Sequence, residues 1–229
     1  MATILTELPM QDNAASTVVV ARTSANATSV NNTSGMSVAG PGGSYPLALS
    51  TNGTTDCIQT PTLAWSGLKQ ASVMFWLYVA SNPGATAVLF ESGPDWTGSQ
   101  GKVIYYTTTA FQVGQFINGL NTGTYSRPST GTWHHIACLW DVDGPAANPG
   151  ETTYYLNGVV QTRAGLHVSD NTSTYTSQVV NLGARNNGAS LPLAMRMAGF
   201  KAYSGLVSVT EILDDMQLVK PQGSLGAAF

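Results

Sequence analysis

Apolar residues in this sequence come in short runs rich in Val, Ile, Tyr, Trp and Thr, cut at close intervals by Gly, Asn and Pro. β-Branched and aromatic side chains suit a pleated, half-buried surface, while Gly, Asn and Pro supply the turns between such segments. The pattern predicts strands near Ser16–Ala21, Pro46–Ser50, Asp56–Thr60, Ala71–Val79, Ala87–Glu91, Lys102–Tyr106, Ala110–Phe116, Thr132–Asp141, Thr152–Leu156, Gln178–Gly183 and Met195–Tyr203. Turn signals separate them at Asn52-Gly53, Asn82-Pro83-Gly84, Asn118-Gly119 and Asn157-Gly158, the last predicting a tight hairpin into Val159-Val160-Gln161. One helix is expected late in the chain. Ser208 caps it, Glu211 stands three residues on, and Ile212, Leu213 and Met216 form an apolar face. Asp214 and Asp215 fall late for the helix dipole, which predicts a short helix. Thr23–Ser44 reads as a long polar loop. The sum is all-β: a two-sheet antiparallel β-sandwich or jelly roll with one short C-terminal helix.

Charge narrows the function. Only 9% of the residues are charged, against about 25% in an ordinary soluble domain. Lys and Arg number 9, Asp and Glu 12. No basic stripe can neutralise a run of phosphates, so no nucleic-acid partner is expected. The longest apolar block, Val73–Val79, falls far below the roughly 20 residues of a membrane-spanning helix, so no membrane partner is expected either. Small polar residues fill the place of the missing charges. Cys57 and Cys138 form no disulfide framework and are expected to be two buried thiols.

Several motifs occur in order. They are Gly131-Thr132-Trp133-His134-His135-Ile136-Ala137, Leu139-Trp140-Asp141, and Tyr154-Tyr155-Leu156-Asn157-Gly158-Val159. Together they resemble the laminin-G-like, concanavalin-A-like lectin/glucanase jelly roll, with Trp133, His134, His135, Trp140, Asn157 and Gly158 as the fold motif. Ala71–Val79, Asn181-Leu182-Gly183-Ala184 and the Met197–Met216 segment are similar to further parts of that pattern. The resemblance spans residues 10–218, leaving 1–9 as an N-terminal arm and 219–229 as a tail. Read physically, alternate residues of Thr132–Asp141 are mostly apolar on both faces, which predicts a central strand with structural rather than catalytic histidines.

Glycosidases need two carboxylates flanking a scissile bond. The glutamates here, Glu7, Glu91, Glu151 and Glu211, stand apart, and none has an Asp two residues later. No catalytic residue and no enzyme activity are expected. The resemblance implies a calcium ion at the sandwich rim, for which Asp141 and Asp143 are the candidate ligands; a solvated Asp-Gly turn is the alternative. The matching closing-strand positions, Met197-Ala198-Gly199, carry no acid. Sugar recognition without metal would stack a ring on exposed aromatics, for which Trp96, Tyr105, Tyr106 and Tyr125 are candidates. The alternative reading makes the tyrosines ordinary strand residues and Trp96 a cover for a core edge.

The expected function is that of a structural or decoration protein on a phage-like virion, partnered by capsid or other virion proteins and compatible with homo-oligomeric mounting. A glycan-binding, lectin-like module is the alternative. Met1–Met10 has neither a basic stretch nor a long apolar one and does not read as a secretory signal, which fits synthesis in a host cytoplasm and residence on the virion surface.

Overall fold

The computed structural model describes residues 2–93, 100–116, 120–143, 151–164 and 174–219. In chain order the strands are β1 (Thr3–Leu8), β2 (Val18–Val19), β3 (Ala27–Ser29), β4 (Ser37–Gly42), β5 (Tyr45–Asn52), β6 (Ile58–Gln59), β7 (Gln70–Tyr78) and β8 (Ala87–Ser92). They continue with β9 (Lys102–Tyr106), β10 (Phe111–Phe116), β11 (Leu120–Tyr125), β12 (Trp133–Asp141), β13 (Glu151–Leu156), β14 (Val159–Val160), β15 (Val180–Leu182) and β16 (Ala194–Ser204). A one-turn helix, α1 (Thr33–Met36), precedes β4, and α2 (Val209–Gln217) follows β16. Two antiparallel sheets result. One runs β14-β13-β12-β7-β16-β5-β4, with β1 added along β16; the other runs β11-β10-β9-β8-β15-β6-β3-β2. The fold is the expected sandwich.

Alternation explains the layers. Ile136, Cys138 and Trp140 of β12 and Val73, Phe75 and Leu77 of β7 point into the space between the sheets. There Trp140 stacks on Phe90 at 5.4 Å between ring centres, and its Nε1 donates to the Gly114 carbonyl at 2.8 Å. The other faces of the same two strands carry Met74, Ala137 and Leu139, which would lie open to water without a third layer. Tyr203, Val207 and Ile212 cover them, the last from α2. Central strands that are apolar on both sides therefore demand this helix. Ser208 and Glu211 form the expected reciprocal cap at its start.

Two segments depart from the sequence expectation. Thr3–Leu8 is a strand pairing with Phe200–Ser204, and Leu8 is fully buried, so the sandwich begins well before residue 10 and these residues are no loose arm. Thr23–Ser44 is likewise built into the sheets. It holds β3, α1 and β4, and Ser37, Val38 and Ala39 pair with Leu49, Ala48 and Leu47. Both segments are short or Gly/Ser-rich and sit at or near sheet edges, where pairing comes from the neighbour rather than from local alternation. The tail beyond Val219 lies outside the described residues. Cys57 and Cys138 are both buried free thiols.

The charge that fastens α2 is Asp215, only 4% exposed. Its Oδ2 accepts from His135 Nε2 at 2.9 Å, and its Oδ1 holds the Lys201 ammonium. Burial pushes the Asp215 carboxyl up, but the His135 hydrogen bond and the Lys201 charge outweigh it and hold the group below the usual carboxylate range. Burial pushes the Lys201 ammonium down, and Asp215 more than offsets that, so its pKa is raised. Asp215 therefore contributes fully above its unfolded pKa, near 3.9, and loses that contribution as pH falls through the folded value. Lys201 contributes fully below about pH 10.4 and loses its share as pH rises through the folded value. Removing one partner of a buried pair leaves the other uncompensated, at a cost of about 3–5 kcal/mol. Urea unfolding of Asp215→Asn at pH 7 is expected to show a loss of that size and a flatter acid limb. A loss below about 1 kcal/mol would contradict the anchoring role.

Candidate functional site

Strands β12, β7 and β16 are neighbours, and Asp141, Gln70 and Ser204 end together at one rim of the sandwich. A pocket of about 290 Å³ opens there between Leu68, Lys69, Gln70, Asp143, Ser204 and Gly205. Its lining offers an ammonium, a carboxamide, a carboxylate and a hydroxyl within one concavity. Such a set suits a hydroxyl-rich, uncharged ligand, whose groups both donate and accept. The two rim aspartates singled out in the sequence bracket this pocket: Asp143 lines it and Asp141 lies behind Gln70. Lys69, Gln70 and Ser204 carry no motif, and only the pairing of Gln70 with Asp141 across β7 and β12 brings them in.

The rim does not fit calcium. A calcium ion takes six to eight oxygen ligands. Asp141 Oδ1 already accepts the Asp143 amide at 3.0 Å, and its Oδ2 accepts Gln70 Nε2 at 3.1 Å. Asp143 Oδ1 holds the Lys69 ammonium at 2.7 Å, so a cation would have to displace a cation. No group of three or more His, Cys, Asp or Glu side chains with metal-binding geometry occurs among the described residues. The expectation of Asp141 and Asp143 as calcium ligands is corrected on these grounds. They shape the pocket instead.

A second constellation imitates a catalytic triad. His134 Nε2 lies 2.9 Å from Ser129 Oγ, and His134 Nδ1 lies 3.2 Å from Asn157 Nδ2. A serine nucleophile needs Nε2 as proton acceptor and Nδ1–H as donor to its orienting group. Here the tautomer is the reverse. Asn157 Oδ1 accepts the His135 backbone amide at 2.8 Å, so its Nδ2 faces His134 as a donor and Nδ1 must accept. Nε2 also sits 3.1 Å from the Ser129 carbonyl, which only accepts, so Nε2 carries the proton. Burial further lowers the His134 pKa. Ser129 is left without a base. His134 and Asn157 hold the turn before β12 to the β13–β14 hairpin.

That hairpin turns on Asn157 at φ 51° and Gly158 at φ 79°, the left-handed pair of a tight turn. A Cβ on Gly158 would also stand 2.8 Å from Leu213 of α2. The motif residues His134, His135, Trp140, Asn157 and Gly158 serve turn, core and helix packing, and Trp133 packs beside Tyr78 at 5.7 Å between ring centres.

Three of the proposed stacking aromatics are not platforms. Tyr106 is fully buried, its hydroxyl donating to the Pro128 carbonyl at 2.9 Å. Tyr125 is 3% exposed and donates to the Thr152 carbonyl, and burial pushes its phenol up to about 12. Tyr105, on the outer face of β9, is 9% exposed and packs with Val88 and Val103. Alternation places these residues on a face but does not tell which faces are covered. Trp96 lies outside the described residues.

Comparison with known proteins fits this geometry. The profile of the concanavalin A-like lectin/glucanases superfamily matches residues 52–213. The chain belongs to that superfamily. No curated protein matches the chain. Among solved structures, domain 4 of the extracellular arabinanase AbnA from Geobacillus stearothermophilus, in complex with arabinotriose, is similar with a TM-score of 0.63 and 18% identity over 96% of this chain and 99% of that one. A Trypanosoma rangeli sialidase with the inhibitor DANA gives 0.63 and 13% over 97% of this chain and 33% of that one. A structure concerning botulinum neurotoxin type C, whose cell entry depends on two ganglioside molecules, gives 0.67 and 12% over 96% of this chain and 52% of that one. At these identities the likeness is one of fold, and the superfamily hosts catalysts and binders alike.

With no calcium site among the described residues, the thermal midpoint in EDTA is expected to equal that in millimolar calcium. A ligand at a hundred times its Kd adds about 2.7 kcal/mol, which for a chain of this size is roughly 5 °C or more. A calcium-induced rise of that size would contradict the reading.

Proposed function

We propose that this superfamily member binds a neutral glycan through the β12–β7–β16 rim pocket, without a metal and without cleaving it. The single observation that carries the reading is the lining itself: Lys69, Gln70, Asp143 and Ser204 around about 290 Å³ at the end of three central strands. That a similar fold appears in a structure with arabinotriose, a neutral sugar, supports the ligand class. The disposition of the acids supports binding over hydrolysis. Glu91 is fully buried against Arg185 at 2.8 Å, Asp215 is held by His135 and Lys201, and Glu211 is tied into its helix cap. Among the described residues Asp143, already paired with Lys69, is the acid that lines the pocket, and a single paired carboxylate is not the acid–base or acid–nucleophile couple of a glycosidase.

The wider role we propose is that of a surface protein of a phage-like virion, built into or decorating the particle, with other virion proteins as partners. The charge-poor exterior supports it, as does an exposed apolar strip at one sheet edge. Val159 and Val160 of β14 are 63% and 57% exposed, and Leu213 of α2, at 44%, lies against the adjoining Gly158. The two roles are compatible, since a particle-borne module can also hold a host glycan. Mass spectrometry of purified particles is expected to find the chain in a fixed ratio to the shell protein; its absence from particles would remove the virion role.

The binding role is tested by an array of neutral oligosaccharides probed with and without EDTA, followed by calorimetric titration of any glycan retained. Binding is expected to be indifferent to EDTA, and Gln70→Ala and Asp143→Ala are each expected to weaken it about tenfold, the loss of one hydrogen bond of roughly 1.5 kcal/mol. An array without binders, with or without calcium, would overturn it.

A further inference from the structure

Inside the sandwich, near the same rim, stands the one described lysine that has no anionic or hydrogen-bonding partner for its amine. Lys102 of β9 is fully buried, and no acceptor lies within reach of its Nζ. The amine rests between two aromatic faces, 4.0 Å from the ring centre of Trp65 and 3.7 Å from that of Tyr175. Each face contributes on the order of 2 kcal/mol to an ammonium when desolvated. Removing the ammonium from water costs several kcal/mol, and no counter-ion repays it. Burial accordingly holds the Lys102 pKa well below the ordinary lysine value. A neutral primary amine is a nucleophile.

Its cross-strand partner is Gln115 of β10, also fully buried and pointing into the same interior. Directly opposed residues of an antiparallel pair have Cβ atoms about 4.5–5.5 Å apart. Gln115 Oε1 accepts the Tyr175 hydroxyl, while Gln115 Nε2 has no partner. One tyrosine therefore contacts both groups, its ring under the Lys102 amine and its hydroxyl on the Gln115 carbonyl. Two unpartnered buried groups side by side are costly as they stand. They are also an amine and an amide.

We propose that Lys102 and Gln115 form an intramolecular isopeptide bond, making the β9–β10 hairpin a covalently closed unit. The step requires Nζ to swing off the two rings toward Gln115 Cδ, its directly opposed neighbour across the strand pair. The Nζ lone pair forms the new C–N bond, and the negative charge developing on Oε1 is stabilised by the Tyr175 hydroxyl already bonded there. One Nζ proton passes to the departing Nε2, the Cδ–Nε2 bond breaks, and ammonia leaves. No oxidant, reductant or cofactor enters the balance. The product replaces an unpartnered amine and an unpartnered amide NH₂ by one secondary amide whose oxygen still accepts from Tyr175. The reaction needs the assembled core, because only the folded sandwich desolvates the amine and orients the amide.

The test is the intact mass of the full chain after folding, followed by tryptic mapping. The folded protein is expected to be lighter than its sequence by one ammonia, with cleavage after Lys102 blocked and the loss located by fragmentation between residues 102 and 115. Lys102→Met and Gln115→Leu are expected to restore the full sequence mass, each checked by circular dichroism for the folded sandwich. Tyr175→Phe, which keeps the ring and deletes the hydroxyl, is expected to slow the mass loss when it is followed from first synthesis in a cell-free translation reaction. A wild-type chain at full sequence mass, cut normally after Lys102, overturns the proposal. So does an ammonia loss that persists in Lys102→Met and maps to the Asn-Gly pairs, which lose ammonia by succinimide formation.

Discussion

A carboxylate can be buried only if its charge is met, and the outer half of this fold is organised around meeting that of Asp215. The central strands β7 and β12 are apolar on both faces, so one sheet must be covered from outside, and α2 is the cover. Its underside carries an acid 4% exposed, which would be prohibitive alone. His135 from β12 and Lys201 from β16 rise to it from two different strands. Asn157 then holds the His135 amide and the His134 ring, and Gly158 lets Leu213 sit against the hairpin. The paired histidines and the Asn-Gly turn, which lie within the stretch that matches the superfamily, are thus parts of one support beneath one helix. Catalysis is not needed to explain them.

Sparse charge acquires a meaning from this arrangement. In a chain with 9% charged residues, the buried acids are taken up by internal contacts, and the rim pair Lys69–Asp143 is the charged element of the proposed binding pocket. An uncharged, hydroxyl-rich ligand is what such a surface can recognise. Lys102 stands outside the pattern, which is why its neighbourhood points to chemistry rather than to pairing. Its opposing strand supplies an amide in place of a carboxylate.

Much of the fold was legible in the sequence. Lys102–Tyr106 has the predicted bounds, the two-faced Val73–Val79 block is central, and Ser208 with Glu211 makes the cap. The missed strands have a common physical cause. β1, β3, β4 and β11 are short, Gly- or Thr-rich or otherwise without an alternating apolar face, and take their shape from neighbouring strands. The site was less legible. Asp215 looked merely ill-placed against the helix dipole, because its partners lie 80 and 14 residues away in the chain. Tyr106 and Tyr125 carried the right chemistry for stacking, but their rings face the covered side of a sheet. Asp141 and Asp143 were read as free cation ligands, whereas Lys69 and Gln70 occupy their oxygens, neighbours that they acquire only through the β7–β12 pairing.

The central claim is that the rim pocket holds an intact neutral sugar by side-chain contacts alone. A crystal structure of the protein soaked with a neutral oligosaccharide in the presence of EDTA tests it most directly. The account predicts uncleaved sugar seated between Lys69, Gln70, Asp143 and Ser204 with the Lys69–Asp143 pair intact. Sugar bound elsewhere on the sandwich, sugar held only when calcium is restored, or a hydrolysed product in the pocket would contradict it.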